Sequence, residues 1–336
     1  SLDDTARPGC PALNWADQQQ PEHDATYWRQ RDLIAATRGK ATPLFLTQGF
    51  LENNTKPDGA WDLFNGLAGP KRAWFGMWDH VRGNDTDANG RLKMGRTGWF
   101  DEAVRFYDQY LKGVKPAVAD PKLAVETSDG TWRAETAWPP ADSSRVTRAL
   151  RAGSYTDDAQ NNGTSEGGSP NGEGVWTISP PLAGDAHLAG VPRVTVDAEP
   201  ARADANLVAD VYDIDGQSRA TLISRQAYLL RGPGPVTFDL YGDDWRLPAG
   251  HRVGVLLTGA NAEWWQHVPT LGPVAVRSAS IELPFLRCRR TATIQGAPSV
   301  KLEDYRDAAP FDVPAATIEQ ATDPAFTEPT LQTCRK

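Results

Sequence analysis

"PLFLTQGFLENNTKP" (residues 43–57) has the pattern of a short apolar strand that closes at Gly49 and is followed by an acid, Glu52. A helical segment, residues 58–70, and a second apolar strand, residues 72–78, come next. Strand, helix and strand joined by short connections are typical of a parallel sheet covered by helices. The segment therefore predicts an α/β sheet with polar side chains just beyond its strand ends.

The α/β pattern continues into one further helix and then stops. In TGWFDEAVRFYDQYLKGV (residues 97–114) apolar side chains recur with helical spacing, which predicts an amphipathic helix. Two strands cannot make a complete doubly wound domain. Residues 1–116 are therefore interpreted as part of an α/β domain, with its strands in residues 43–116. The apolar face of the helix consists of Trp99, Phe100, Ala103, Val104, Tyr107, Tyr110 and Leu111.

From about Pro116 the sequence consists of short runs rich in Val, Leu, Thr and aromatic residues, separated by Gly, Pro, Asn and Asp. No long helical repeat interrupts them. This pattern predicts an all-β sandwich of the jelly-roll type over residues 117–336, so the expected fold class is α/β plus all-β. The run KLAVETSDGTWRAETAW (residues 122–138) is assigned to the sandwich, and residues 158–175 to a low-complexity loop within it.

The composition argues against several classes of partner. The 336 residues carry a formal charge of −8, so no nucleic acid and no anionic membrane surface is expected to bind them. No apolar run approaches the roughly 20 residues that cross a bilayer. The opening residues, SLDDTARPGC, lack an initiator Met and an apolar leader, so Ser1 is interpreted as a processed end or the edge of a fragment.

Three cysteines, Cys10, Cys288 and Cys334, share no metal-ligand spacing, which argues against a zinc site. Cys288 and Cys334 could pair and fix the C-terminal tail, and the alternative is that all three are free thiols. With the pair formed, Cys10 would be left over and the compartment would be oxidising. The expected location is therefore extracellular.

Two successive strand ends carry the candidate catalytic residues, Glu52 and His80. α/β enzymes place reactive groups at the carboxyl ends of parallel strands. In a hydrolase triad the imidazole takes the proton of the nucleophile, and a carboxylate holds the ring in the required tautomer. α/β-hydrolases have the chain order Ser, acid, His, and Glu52 before His80 fits the last two members. The spacing by itself also fits a solvated loop acid and a structural histidine.

The sequence offers no convincing nucleophile, cofactor or metal site. The match to G-x-S-x-G, residues 163–167, places Ser165 among Asn, Gly and Ser without a flanking strand and helix, so Ser165 is not expected to be catalytic. DTDANG, Asp85 to Gly90, matches half of an EF-hand loop, but Arg96 stands where a bidentate Glu is needed. Calcium at Asp85–Asn89 is therefore a weaker interpretation than a solvated turn, and no cofactor is expected.

PLFLTQGFLENNTKP resembles the acid-bearing strand and turn of the X-Pro dipeptidyl-peptidase and cocaine-esterase family of serine hydrolases, in which an apolar strand is followed by Gly, two residues and the triad acid. FGMWDH (residues 75–80) resembles the family's strand before the catalytic histidine, and PEHDATYWRQRD (residues 21–32) the segment before the acid strand. The family usually has Asp where this sequence has Glu52. Three long stretches after residue 120 are similar to the family's jelly-roll domain.

The resemblance implies the C-terminal half of an α/β-hydrolase sheet, residues 1–116, followed by a galactose-binding-like jelly roll, residues 117–336. Residues 1–42 would be the remnant of a helical cap. Glu52 would orient His80, the general base. In the family the serine nucleophile lies upstream of the acid, so the implied partner of this chain is an N-terminal hydrolase segment that carries the serine.

The function implied by the resemblance is hydrolysis of peptides from the N-terminus, after a penultimate proline, by acyl transfer. The chain alone would be inactive. The alternatives are an esterase or amidase of the cocaine-esterase branch, and a non-catalytic β-sandwich binding module. Half a sheet would expose an unpaired edge and apolar faces, so the isolated chain is expected to aggregate, whereas good solubility without a partner would favour the module.

Overall fold

The fold is known from a computed structural model that describes residues 15–16, 18, 25–158, 174–261, 267–308 and 311–334. Strands dominate these residues and form three sheets, and the helices are short. Within the described ranges, no helix has both the length and the apolar character needed to cross a lipid bilayer. The helices are α1 (Thr26–Arg29), α2 (Leu33–Thr37), α3 (Ala60–Gly66), α4 (Trp99–Lys112), α5 (Val300–Ala308) and α6 (Ala315–Ala321).

The first sheet contains β1 (Leu44–Gly49), β2 (Lys71–Gly76), β3 (Leu123–Glu126) and β4 (Trp132–Glu135), in that order. The parallel pairing of β1 with β2 that the strand–helix–strand pattern predicts is confirmed. β3 continues the parallel sheet, and β4 returns antiparallel beside it. α3 connects β1 to β2, and α4 lies between β2 and β3 in the chain. Among the described strands β1 pairs with β2 alone, so it forms an edge.

Helix α4 packs against the edge strand with part of its apolar surface. Phe45 of β1 contacts Trp99 and Phe106 of α4, with ring centroids 6.0 and 5.8 Å apart. The sequence predicts seven apolar residues on one face of α4, but the sheet covers only one side of that face. The other side is exposed, and we call it the α4 stripe; it consists of Phe100, Val104, Tyr107 and Leu111.

The other two sheets are antiparallel throughout and form the β-rich part of the chain. The second sheet has the order β16-β11-β10-β14-β7, and the third has the order β12-β9-β15-β8-β13 with β5 and β6 also paired to β15. The strands are β5 (Ser143–Leu150), β6 (Gly153–Thr156), β7 (Val175–Ile178), β8 (Ala186–Gly190), β9 (Arg193–Pro200), β10 (Ala205–Ile214), β11 (Arg219–Leu230), β12 (Gly234–Asp239), β13 (Asp243–Leu247), β14 (Arg252–Thr258), β15 (Pro273–Leu286) and β16 (Phe311–Asp312).

One hydrophobic core joins all three sheets. Val194 of β9 and Val255 of β14 belong to the same buried cluster, so the second and third sheets share an interior. Phe75 of β2 and Phe50, just after β1, belong to that cluster too. The first sheet is therefore packed against the sandwich rather than tethered to it.

The seam between the first sheet and the sandwich is fixed by a buried polar anchor. Trp138 packs 4.3 Å from Trp61, centroid to centroid, and donates its indole N–H to Asp244 at 3.1 Å. Arg133 of β4 donates two N–H groups to the same carboxylate, at 2.8 and 2.6 Å, and His187 bonds it at 2.7 Å. Burial would raise the pKa of Asp244, but the charges of Arg133 and His187 outweigh it and hold that pKa well below its usual range.

The assignment of residues 122–138 to the sandwich is wrong, because β3 and β4 pair within the first sheet. Every residue of β3 is buried, so the strand lacks the alternation that would mark an exposed face. An apolar run of this length does not reveal which sheet it joins. The first sheet therefore extends beyond residue 116, while the predicted division into two domains at that residue stays a prediction.

The C-terminal tail is held by the predicted disulfide. Cys288, just after β15, bonds Cys334, and this pairing is confirmed. A loop of this length, 46 residues, corresponds to about 4 kcal/mol of stabilisation in the loop-entropy treatment. Cys10 lies outside the described residues.

Candidate active site

Glu52 is buried in the turn that follows β1. The chain can turn there because Gly49 has no side chain: a Cβ at this position would lie 2.0 Å from the carbonyl oxygen of Trp78. Glu52 Oε1 accepts the backbone N–H of Asn54 at 2.7 Å and that of Thr55 at 3.2 Å. The turn thus satisfies one carboxylate oxygen with its own backbone and leaves Oε2 for another donor.

That donor is His80, at the end of the neighbouring strand. Its Nδ1 lies 2.9 Å from Glu52 Oε2. β1 and β2 are parallel neighbours in which Gly49 pairs with Gly76, so the turns after the two strands meet at the same edge of the sheet. The structure therefore brings together the two residues that the sequence singles out.

The contact decides the tautomer of the imidazole. A carboxylate accepts hydrogen bonds and donates none, so Nδ1 of His80 carries the proton that Glu52 accepts. In a neutral ring the lone pair then lies on Nε2. No described residue hydrogen-bonds Nε2 of His80. The pair therefore presents a proton acceptor, held in one orientation, to the outside of the protein.

Exposure distinguishes this pair from the other histidine–carboxylate pairs among the described residues. The side chain of His80 is 62% exposed, while Glu52 is 5% exposed. His187, His251 and His267 also contact aspartates, but their side chains are 4%, 26% and 0% exposed. Their rings are largely or fully closed to solvent. His80 alone among the four combines a buried carboxylate on one ring nitrogen with a largely open ring.

A contact with the second sheet supports the turn that carries Glu52. Arg225 of β11 donates an N–H to Asn53 Oδ1 at 3.0 Å, which ties the residue after Glu52 to the second sheet. Beside this contact lies a small cavity of about 30 Å³, lined in part by Glu52, Tyr241 and Tyr305. Burial, and then the charge of Arg225, lower the pKa of Lys56 in the same turn, against the opposing effect of Glu52.

A third strand end carries a buried acid that the sequence analysis missed. Glu126, the last residue of β3, accepts the backbone N–H of Met77 at 2.8 Å and that of Ser299 at 2.7 Å. Burial raises its pKa to about 7, against the lowering effect of these N–H groups. The signal was available, since LAVE is an apolar run ending in an acid, like the strand before Glu52. It was missed because β3 was assigned to the wrong sheet.

The remaining candidates contribute little to this site. Ser165 lies outside the described residues. Asp87, in the loop considered for calcium, accepts the N–H groups of Asn89 and Arg91 at 2.9 Å each and pairs with the Arg91 guanidinium. Among the described residues, no group of three or more His, Cys, Asp or Glu side chains is arranged to hold a metal ion.

Comparison with protein families gives two matches. Residues 116–300 match the X-Pro dipeptidyl-peptidase C-terminal non-catalytic domain, and residues 3–82 match the X-Pro dipeptidyl-peptidase S15 family. The first match covers more than half of the chain. Glu52 and His80 both lie within the second.

Individual relatives are distant and longer than this chain. A protein named "Putative Xaa-Pro dipeptidyl-peptidase" from Streptomyces avermitilis is 26% identical in an alignment 211 residues long, and the match covers 56% of this chain and 30% of the relative. A protein of the same name from Bacillus cereus is 21% identical in an alignment 300 residues long, and the match covers 78% of this chain and 50% of the relative. The chain thus spans between about a third and a half of the curated relatives it matches.

Solved structures share the fold at low sequence identity. An aminopeptidase from a marine sediment archaeon, Thaumarchaeota archaeon, gives a TM-score of 0.65 at 16% identity and covers 83% of this chain and 61% of its own. A CocE/NonD family hydrolase from Staphylococcus aureus gives a TM-score of 0.59 at 14% identity, and the match covers 82% of this chain and 59% of that protein. An α-amino acid ester hydrolase gives a TM-score of 0.58 at 15% identity, and the match covers 82% of this chain and 61% of that protein. The chain belongs to the X-Pro dipeptidyl-peptidase family of hydrolases.

Proposed function

We propose that this chain supplies the acid and the histidine of a Ser-His-Glu triad in a hydrolase that removes dipeptides from peptides with a penultimate proline. The observation that carries the proposal is the pair itself: Glu52 is buried and holds Nδ1 of His80, while Nε2 faces outward. The family match supplies the reaction class. The same arrangement is the acid–histidine half of every Ser-His-acid site.

In the first half of the reaction a serine hydroxyl attacks the carbonyl carbon of the scissile bond. Nε2 of His80 takes the hydroxyl proton as the C–O bond forms, and the ring becomes an imidazolium. Glu52 stabilises that positive charge through Nδ1. The C–N bond then breaks, the proton passes from Nε2 to the leaving amine, and the acyl group stays on the serine.

The second half repeats these steps with water. Nε2 takes a proton from a water molecule as its oxygen attacks the acyl carbon, and the proton then returns to the serine oxygen as the ester bond breaks. The roles of Glu52 do not change: it keeps the ring in the Nδ1–H tautomer and balances the charge. The open face of His80 is where both serine and water must approach.

The serine itself is assigned to a segment outside these 336 residues, the proposed N-terminal partner. Two features of the first sheet support this assignment. β1 offers an unpaired edge within the described residues, and the α4 stripe is an apolar surface without a cover there. Strands β1 to β4 would then be the C-terminal part of the hydrolase sheet, and the sandwich would be the family's jelly roll.

A second candidate is hydrolysis of esters or amides, since the chain shares its fold with an α-amino acid ester hydrolase. The same acyl transfer cleaves both bonds. The walls of the acyl pocket decide between them, and the proposal assigns these walls to the serine-bearing segment. We also propose an extracellular location, because the disulfide between Cys288 and Cys334 favours an oxidising compartment.

The test is labelling with a fluorophosphonate, which reacts with activated serines, followed by intact-mass spectrometry. The chain is purified with any bound polypeptide. We expect the label on a second polypeptide, and its loss in the His80→Ala variant. His251→Ala is the matched control, because it breaks another histidine–carboxylate pair, at 2.7 Å, within the sandwich.

Assays of the same preparation on a Gly-Pro amide and on an aminoacyl ester separate the two substrate classes. Label on the 336-residue chain itself would overturn the assignment of the serine. Labelling that survives in His80→Ala would overturn the triad. A single unlabelled species that is soluble and binds no second chain would favour the non-catalytic module.

A further inference from the structure

Three buried residues form a closed ring of hydrogen bonds next to His80. Glu126 accepts the N–H of Met77 with Oε2 and the N–H of Ser299 with Oε1, and the hydroxyl of Ser299 donates to the carbonyl oxygen of Met77 at 2.5 Å. Met77 and Ser299 are fully buried, as is Glu126. Both backbone polar groups of Met77 are thus bonded beyond the end of the β2 ladder, where strand pairing has stopped.

We propose that this ring, named here the Glu126 clamp, positions His80, and that Glu126 and Ser299 are positioning residues of the triad. The inference rests on the proposed function and deepens it. His80 follows Met77 by three residues, so the clamp fixes the start of the short segment that carries the imidazole. Glu52 then fixes the end of that segment.

The residues between the clamp and the imidazole have little freedom. Trp78 is buried and stacks on Trp132 of β4, with ring centroids 5.8 Å apart and planes 16° apart. Gly76 leaves room for this ring, since a Cβ there would lie 2.1 Å from it. The carbonyl of Asp79 accepts the N–H of Val81 at 2.9 Å. The intervening residues could therefore not take up a displacement of Met77, which would move His80 as well.

The clamp links the proposed chemistry to the part of the chain described as non-catalytic in the family. Glu126 and Ser299 both lie within the 116–300 match. Ser299 precedes helix α5, whose Tyr305 donates its hydroxyl to the carbonyl of Leu222 at 2.6 Å in the second sheet. The sandwich thereby reaches the His80 segment through α5 and Ser299.

Two variants test the clamp on the 336-residue chain itself. Glu126→Gln keeps the shape but replaces one acceptor by an NH₂ group, which faces a backbone N–H as a second donor. Ser299→Ala removes the hydroxyl that bonds the Met77 carbonyl and also interacts with Glu126, and it keeps the Ser299 N–H that Glu126 accepts. Glu102→Gln is the matched control: Glu102 is equally buried and bonds the Trp74 indole of the same strand at 3.0 Å, but it does not touch the segment that carries His80.

The first readout is the tautomer of His80. It is measured as the ¹⁵N NMR chemical shifts of the two ring nitrogens, which are detected through the carbon-bound ring protons at a pH where the ring is neutral. In the unchanged chain we expect widely separated shifts, as for one tautomer. In Glu126→Gln and Ser299→Ala we expect the shifts to converge, and in Glu102→Gln to stay apart. Hydrogen exchange of the Met77 amide should accelerate about tenfold or more in Glu126→Gln.

The second readout is catalysis by the assembled hydrolase, in which Glu126→Gln should lower kcat about 10- to 100-fold with little change in KM. Ring shifts that stay separated in folded Glu126→Gln and Ser299→Ala would overturn the clamp, as would equal convergence in the control. If Glu126→Gln fails to fold, Ser299→Ala decides. Converging shifts in a chain that never supports serine labelling would leave the clamp standing and refute the hydrolase proposal instead.

Discussion

The first sheet and the sandwich use their apolar residues differently. All ten residues of β10, in the interior of the second sheet, are buried, whereas five of the six residues of β1 are only half-buried. The third sheet covers one face of the second sheet, and a separate cluster that includes residues of α6 covers part of the other. Within the part of the chain that the structure describes, the first sheet has an unpaired edge and, beside it, the exposed α4 stripe. The two regions are therefore expected to respond differently to substitution: the sandwich in stability, the first sheet in chemistry and association.

The largest expected effect is on activity, from the first sheet. Glu52→Gln removes an acceptor that fixes the tautomer of His80, and we expect kcat of the assembled hydrolase to fall about 10⁴-fold. Asp213→Asn, which breaks the sandwich pair with His251, is the control and should leave kcat within a few-fold. Equal losses of kcat in both variants would show that each histidine–carboxylate pair affects activity by stabilising the fold. The first sheet and the sandwich would then not differ in this respect.

The next largest effect is on stability, from the seam. Asp244→Asn removes the carboxylate that both Arg133 and His187 bond and leaves Arg133 with the Glu135 carboxylate alone, so we expect the free energy of unfolding to fall by about 3–5 kcal/mol in chemical denaturation. The exposed pair of Asp239 with Arg193 provides the control, since Asp239→Asn should cost at most about 1 kcal/mol. A small effect of Asp244→Asn would mean that the first sheet and the sandwich are not held together by this anchor.

The pH dependence of stability should report Glu126. Its pKa is raised to about 7 in the folded chain from 4.5, mainly by burial and against the effect of Arg306. The folded state then binds more protons between these values, so the contribution of Glu126 to stability is fully present below pH 4.5 and is lost as the pH rises through about 7. The fall amounts to about 3 kcal/mol. Glu126→Gln should remove this component, measured as the difference between the two denaturation series across pH.

The smallest effect on stability is expected at the α4 stripe. Leu111→Ser on the exposed face should change the free energy of unfolding by less than about 0.5 kcal/mol and increase the solubility of the isolated chain. Phe106→Ala on the buried face should cost about 3–5 kcal/mol. In the assembled hydrolase, Leu111→Ser should weaken binding of the serine-bearing segment, measured by co-purification. Unchanged binding would remove the stripe from the proposed interface.

The acid and histidine could be predicted from the sequence because parallel strand pairing follows from local patterns. An apolar run, a glycine turn and a short helix fix two neighbouring strand ends, and Glu52 and His80 follow them directly. The sequence left the pairing of Cys288 with Cys334 open against three free thiols, and the structure contains the disulfide.

The Glu126 clamp could not be predicted because its members are 49, 173 and 222 residues apart in the chain. Nothing local indicates that the segment after β15 returns to the first sheet. The helical spacing of apolar residues predicted α4 correctly. It did not predict how much of the apolar face the sheet covers, because the covered area depends on the neighbouring elements rather than on the helix.

The clamp also bears on how such hydrolases can be recombined. A chimera made by joining residues 1–115 of this chain to the β-rich part of a relative would look modular along the sequence. It would nevertheless replace the carboxylate and the hydroxyl that hold Met77, while retaining the histidine that depends on them. Exchange of segments between relatives should therefore preserve activity best when residues 71–80, 123–126 and 297–300 are taken from the same protein, although they lie in three separate stretches of the sequence.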